Sequence, residues 1–214
     1  FEEKYNKKIF EIGNIIREDI LNYSLTKINN TTKEKICVLI LGGSQAAKSF
    51  AEKLPEIFKE CVKKNIKLKV YQQCLAYQTS GLKKTYDLLN IDYEIFNFSS
   101  KLLNYFPKID FAITRSGSSM LAELLNCNIP MIAIPLPSSA DQHQLKNAKY
   151  FEKKGYGFLI QEKDIDQQLL PLIEKICRDQ KPLNEIIIKQ REYSDKNVFK
   201  KIYNQVKEIL NDKN

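Results

Sequence analysis

Two periods of apolar residues run along this chain, one of strands and one of helices. Ile36–Leu41 (ICVLIL) is a continuous β-branched and apolar run, the pattern of a strand buried on both faces. It stops at Gly42-Gly43-Ser44-Gln45. Ala46–Lys64 then shows helical spacing through Phe50, Leu54, Phe58 and Val62, with Pro55 placed to split or kink it. Ile66–Tyr71 reads as a second strand and Gln78–Leu89 as a second helix. Tyr93–Phe98 reads as a third strand, followed by a short helix at Lys101–Phe106. The apolar runs Phe111–Thr114 and Met131–Pro135 flank a helical segment, Ser118–Asn126. Gln144–Lys154 follows as helix and Tyr156–Ile160 as a last strand. From Asp164 onward the pattern is helical, in pieces bounded by Pro171 and Pro182. Ahead of all this, Lys8–Ile12 is strand-like and ends in Gly13-Asn14-Ile15-Ile16-Arg17. A short acidic helical turn comes next, and Asn22–Lys35, rich in Asn, Thr and Lys, is the best linker candidate.

Strands alternating with helices at this spacing predict an α/β fold, a Rossmann-like doubly wound parallel sheet with right-handed crossovers. The organising stretch is Ile109–Gln144, a β-α-β unit whose Gly-, Ser- and Pro-punctuated loops fall at the carboxyl ends of both strands. Ligands of open parallel sheets bind at that edge. The chain divides as a start with its linker-like loop (1–35), a ligand-binding Rossmann-like domain (36–165) and C-terminal helices (166–214).

Composition narrows the field without choosing a function. With 214 residues, 43% hydrophobic and 28% charged, the chain can bury an ordinary core. The net charge of +8 permits an anionic partner. Its lysines, however, are scattered among Asn and Ile without a compact Arg-rich block, which favours a solvated Lys-rich surface and no nucleic-acid partner. The five cysteines form no C-x-x-C pair and fall mostly at apolar positions, as free thiols of a reducing, cytosolic compartment do. No apolar run approaches the roughly 18 residues of a membrane span, so membrane contact is expected to be peripheral. The first residue is Phe1, as in a fragment, a processed product or an unusual gene.

Several loops carry candidate chemistry. At Gly42-Gly43-Ser44-Gln45-Ala46-Ala47 glycines permit a tight turn, and the amides of the helix start could hold a diphosphate with the Ser44 hydroxyl. A glycine turn with Ser44 as N-cap is the plain alternative. The pattern is neither that of a P-loop nor that of a standard dinucleotide fold. Arg115-Ser116-Gly117-Ser118-Ser119 repeats the strand-to-helix arrangement, with Glu123 about a turn and a half into the helix. A carboxylate there could accept both hydroxyls of a ribose, or simply offset the helix dipole. Near Asp141, His143 and Asn147 share a helix face at i, i+4, and Gln144 neighbours Asn147 at i, i+3. Such a surface reads sugar hydroxyls; His143, the only histidine, lacks a partner for general-base work. Asp164-Ile165-Asp166 matches a metal-binding D-x-D pattern but reads better as acids at a helix start. Neither a metal nor a cofactor is expected.

With these loops in place, three separated segments resemble the MurG family of bacterial UDP-N-acetylglucosamine transferases. They are Gly13–Arg17, Gly42–Ala47 and the block 115–148, and the likeness runs from about residue 9 to about residue 165. The family completes the lipid-linked peptidoglycan precursor with two Rossmann-like domains, the GT-B arrangement. This chain resembles only the C-terminal, donor-binding one. The resemblance implies that Arg17 and Ser44 contact the donor diphosphate and that Ser99 offers backbone groups to the uracil. It further implies that Ser118, Ser119, Met120 and Leu121 hold the phosphates or sugar, and Glu123 the ribose. Gln144, with His143 and Asn147, would bind the N-acetylglucosamine. The chain departs from the family at Ile15, where a proline is usual, and at Ala46, where a glycine is usual.

The expected function is therefore the UDP-N-acetylglucosamine-binding half of an inverting, metal-independent transferase that converts lipid I to lipid II. The lipid-linked muramyl-pentapeptide acceptor would be held by a missing N-terminal domain, and no catalytic residue is expected in this chain. The expected setting is the cytoplasm or the cytoplasmic face of the inner membrane. A soluble donor-binding subunit of a two-chain enzyme and a non-catalytic nucleotide-sugar-binding remnant remain as alternatives. Asn197–Leu210, apolar at 198, 202, 206 and 209 with lysines between, reads as a docking helix and secondarily as a membrane-surface helix.

Overall fold

The computed structural model of the chain describes residues 9–23, 35–99 and 102–211, with side chains 44–47 excepted. Its strands are β1 (Ile36–Leu41), β2 (Leu68–Gln73), β3 (Asp92–Phe96), β4 (Phe111–Thr114), β5 (Met131–Ala133) and β6 (Phe158–Leu159). Its helices are α1 (Glu18–Leu21), α2 (Gly43–Lys63), α3 (Thr79–Leu88), α4 (Ser118–Asn126), α5 (His143–Lys153), α6 (Ile165–Arg178), α7 (Lys181–Arg191) and α8 (Val198–Asn211). The six strands form one parallel sheet in the order β3-β2-β1-β4-β5-β6.

The apolar run of β1 is explained by its central place. Val38 pairs with Val70 of β2 on one side and Phe111 of β4 on the other. Its alternating side chains feed two cores, one on each face of the sheet. Val38 and Ile40 join Phe111 and Ile113, packed against Phe50, Leu54 and Phe58 of α2 and Ile173 and Ile176 of α6. Leu39 and Leu41 join Ala112, packed against Ile20 of α1, Leu121 and Leu124 of α4 and Phe151 of α5. A sheet covered on both faces is the doubly wound arrangement, and the α/β expectation holds.

Pro55 and Pro171 do not divide their helices as the sequence suggested, whereas Pro182 does stand at the start of α7. α2 begins at Gly43 and runs through Pro55, and α6 runs through Pro171. An interior proline costs about 3 kcal/mol. In α2 that cost is outweighed by the buried stripe Phe50, Leu54, Ile57, Phe58 and Cys61, each large apolar side chain contributing roughly 1.5–3 kcal/mol. Other boundaries shift by a residue or two. The helix expected at Lys101–Phe106 is two short 3₁₀ turns, Leu102–Asn104 and Phe106–Lys108, with Lys101 outside the described residues.

The strand expected at Lys8–Ile12 is not formed: residues 9–17 have no regular structure, and Lys8 lies outside the described residues. Long-range side-chain bonds hold that segment instead. Asp195, in the α7–α8 connection, accepts from the Asn14 amide N–H at 2.9 Å and from Asn14 Nδ2 at 3.2 Å. Of the linker candidate Asn22–Lys35, residues 24–34 lie outside the described residues.

Candidate functional site

The chain leaves β1 toward β2 on one side of the sheet and leaves β4 toward β5 on the other. The carboxyl ends of β1 and β4 are therefore the switch point, where an open parallel sheet leaves a crevice. A cleft of 700 Å³ lies there, bordered by Gly42 and Gly43 after β1, Arg115 and Gly117 after β4, and Gln144. Phe98 and Ser99 form part of its wall beyond β3.

Two helices start at this edge after a glycine N-cap, and in α2 the first amide, that of Gly43, is met from β2 by Gln73. α2 opens after Gly42 and α4 after Gly117, neither N-cap makes a side-chain hydrogen bond, and neither first turn carries an acid. The partial positive charge of each helix start is thus not offset by an acid of its own first turn. Gly43 has φ +65, a conformation that suits glycine. Ser44 stands inside the first turn of α2, so it is not the N-cap, and its side chain is outside what is described.

The β4–α4 loop is pinned from α5. Gln144 Oε1 accepts from the amides of Ser116, at 3.2 Å, and Leu136, at 3.0 Å. Asn147 Nδ2 donates to the Ser116 carbonyl at 3.0 Å. Two side chains one turn apart thus grip both polar groups of a single peptide residue. Because Gln144 Oε1 takes two donors, the amide NH₂ is what Gln144 has left to offer a ligand. His143 is exposed, and its Nδ1 sits 2.8 Å from the Ala140 carbonyl.

Arg17 and Glu123, distant in sequence, meet. Arg17 Nε and Nη2 each lie 3.3 Å from a Glu123 carboxylate oxygen. The carboxylate is the sheltered partner, 16% exposed against 52% for Arg17. Glu123 lies one turn beyond Met120, which borders the cleft. Ser118 and Ser119 are exposed at the start of α4. Leu121, in the same turn, has its side chain fully buried and its amide bonded to the Gly117 carbonyl at 3.1 Å, and so secures α4 to the core.

Three residues at the site carried no role in the sequence reading. Gln73 Oε1 accepts from the Gly43 amide at 3.3 Å, and its Nε2 donates to the Asn97 carbonyl at 3.3 Å, spanning two loops of the cleft. The apolar run in the sequence stops at Tyr71, whereas the strand continues to Gln73. Arg115 lies buried, 2.5 Å from Glu162, donating to the carbonyls of Ile134 and Pro135 and covering the Phe50 ring. Burial lowers its pKa, and Glu162 opposes that shift. Asp195 also accepts from Tyr193 Oη at 2.8 Å and from Asn126 Nδ2 at 2.8 Å. Asp164 and Asp166 stand at the start of α6, and no metal-binding group of three or more His, Cys, Asp or Glu occurs among the described residues.

A parallel sheet wound to both sides, with two helix starts at its switch point, defines a Rossmann-like domain. Residues 37–206 match the model of the glycosyltransferase family 28 C-terminal domain. The chain is 36% identical over 197 residues to a Pelagibacter ubique protein named UDP-N-acetylglucosamine–N-acetylmuramyl-(pentapeptide) pyrophosphoryl-undecaprenol N-acetylglucosamine transferase, covering 92% of this chain and 54% of that one. A Francisella philomiragia protein of the same name is 32% identical over 205 residues, covering 94% of this chain and 55% of that one. The crystal structure of Acinetobacter baumannii MurG superposes with a TM-score of 0.73 at 22% identity, covering 86% of this chain and 55% of that one. That likeness speaks for the fold. The chain belongs to glycosyltransferase family 28 and corresponds to its C-terminal domain. It spans about half the length of these relatives.

Proposed function

We propose that this chain is the donor-binding half of an inverting, metal-independent N-acetylglucosaminyltransferase of peptidoglycan synthesis, which converts lipid I to lipid II. The observation that carries the reading is the pair of acid-free helix starts of α2 and α4, each following a glycine N-cap and facing one cleft at the switch point. Such a pair suits a diphosphate. On this reading Arg17, Ser44 and the amides of Ser118, Ser119 and Met120 hold the diphosphate, and backbone groups at Ser99 hold the uracil. Glu123 takes the ribose hydroxyls. The NH₂ of Gln144, flanked by His143 and Asn147, takes the N-acetylglucosamine. The names of the relatives support an N-acetylglucosamine transferase.

The acceptor, a lipid-linked muramyl-pentapeptide, would be held by an N-terminal half, which also supplies the catalytic side of the cleft. Helix α8 is the docking element for that half. It buries Val198 but leaves Phe199, Tyr203, Val206 and Leu210 about half or more exposed at helical spacing. No helix among the described residues is long and apolar enough to cross a membrane. The proposed setting is the cytoplasm or the cytoplasmic face of the inner membrane, in peripheral contact.

Titration calorimetry with UDP-N-acetylglucosamine tests the reading. Saturable heat is expected with UDP and UDP-N-acetylglucosamine, unaffected by EDTA and weakened in Ser44→Ala and Glu123→Ala. Absence of any UDP-dependent heat, or binding in both variants unchanged from wild type, overturns it.

A further inference from the structure

We infer that Asp195, in the loop between α7 and α8, is a positioning residue for the donor site, acting through Arg17. The inference rests on the donor-binding reading above. Asp195 is 3% exposed. Its carboxylate accepts four hydrogen bonds: from Asn14 N and Tyr193 Oη on one oxygen, and from Asn14 Nδ2 and Asn126 Nδ2 on the other. Its own amide donates to Asn126 Oδ1 at 3.0 Å. Asn14 stands three residues before Arg17, and Asn126 three residues after Glu123. One buried carboxylate therefore joins the two backbone segments that carry the Arg17–Glu123 pair.

The two segments depend on it unequally. α4 is anchored independently by Leu121, Ala122, Leu124 and Leu125 in the core. Residues 9–17 have no regular structure of their own, so the direction in which Arg17 leaves the chain is set by how 13–16 are tied down. Ile16 is buried, and Asn14 is bound to Asp195 through both backbone and side chain. Gly13 completes the fit. It adopts φ +98, and a Cβ there would stand 2.5 Å from Asp195 Oδ1. The chain approaches Asp195 closely enough that only glycine is accommodated.

The chemistry calls for a carboxylate. Four donors converge on an acceptor that carries none of its own, and charge-assisted bonds of this kind are about twice as strong as neutral ones. Burying a carboxylate is costly compared with apolar packing. What it supplies is a fixed orientation of the incoming segment. In Asp195→Asn an NH₂ would face donors already aimed at it, releasing Asn14 and with it the placement of Arg17.

The test uses Asp195→Asn and, should that variant fold poorly, Asn14→Ala, with UDP and uridine as probes in the whole chain. Because Arg17 serves the diphosphate, UDP affinity is expected to fall about tenfold while uridine affinity stays. In an Arg17→Ala background the same change should do nothing further. A parallel readout without ligand is the Arg17 Nε–H resonance, which should lose its ion-paired shift in Asp195→Asn. Equal loss of UDP and uridine binding would reduce Asp195 to a structural strut, and unchanged UDP binding, or a full effect without Arg17, would also overturn the inference. A wild-type chain that binds no UDP instead overturns the donor-binding reading. In that case the resonance alone decides whether Asp195 positions Arg17.

Discussion

Glu123→Gln separates a structural role from a binding role at the same carboxylate. Glu123 faces Arg17 through two contacts of 3.3 Å, longer than the 2.7–2.9 Å of a tight charge-assisted bond, and Arg17 is 52% exposed. A pair of that kind contributes about 0–1 kcal/mol. Glutamine keeps the shape and one acceptor, so the melting temperature is expected to fall by at most about 2–4 °C. Binding should respond more strongly. Hydrogen bonds to a charged acceptor are worth about 1.5–3 kcal/mol against about 0.5–1.5 kcal/mol for neutral ones. Losing the charge under two ribose hydroxyls should therefore cost about 1.5–2 kcal/mol, or roughly 10–30-fold in affinity.

One effect opposes this. Removing a negative charge close to the diphosphate, and freeing Arg17, strengthens the hold on an anion. Uridine has no phosphate and isolates the hydroxyl contribution. The assay is ligand-observed NMR with uridine, UDP and 2′-deoxy-UDP on wild type and Glu123→Gln. Uridine should lose the full factor and UDP somewhat less. The penalty for 2′-deoxy-UDP, a fewfold in wild type, should shrink in the variant. If uridine binds both proteins equally, or the deoxy penalty is the same in both, Glu123 does not read the ribose.

Gly13→Ala should lower stability by about 1–2 kcal/mol from the positive φ alone, and by more from the 2.5 Å approach to Asp195, seen as a lower midpoint in urea. Leu121→Ala, at a fully buried position, should cost about 2–5 kcal/mol by the same measurement while uridine affinity per folded molecule is kept. Alkaline pH should destabilise the fold. Burial pushes Cys61 and Cys127 up to about 12 and Cys177 to about 11, from 9.0. The native state keeps these thiols protonated while the unfolded chain ionises them. Stability is complete below pH 9 and is lost as pH rises from there toward 11–12, by roughly 1.4 kcal/mol per thiol per pH unit. A melting temperature flat between pH 8.5 and 10.5 would refute that reasoning.

What could be read from sequence follows the range of the interactions. β1, β4 and α4 have the spans that periodicity predicts, because a central strand buried on both faces and a helix started by Gly-Ser-Ser are announced within a few residues. The loops of the cleft were legible for the same reason: glycine and serine at a strand's carboxyl end mark a helix start whose amides are open. Lys8–Ile12 misled because its alternation looks like a strand, whereas residues 9–12 line a groove against α8. Asp195 was illegible. Its bond to Asn14 spans 181 positions, and nothing around Tyr193-Ser194-Asp195-Lys196 distinguishes it from a solvated loop.

The division between legible and illegible residues is also a division of labour. Groups assigned to the diphosphate are mostly backbone amides, whose direction is fixed once α2 and α4 start where they do. Groups assigned to ribose and sugar are side chains, and each is held by a partner far along the chain: Glu123 faces Arg17 across 106 positions, and Gln144 is fixed by the amide of Ser116, 28 positions away. A helix start can be kept by local sequence alone. The side-chain contacts survive only if α5, the 9–17 segment and the α7–α8 loop all keep their places. A change in α5 should therefore alter sugar recognition before it alters the hold on the diphosphate. The one exception is Arg17, a phosphate ligand carried on a segment without regular structure, and its placement is the burden that falls on Asp195.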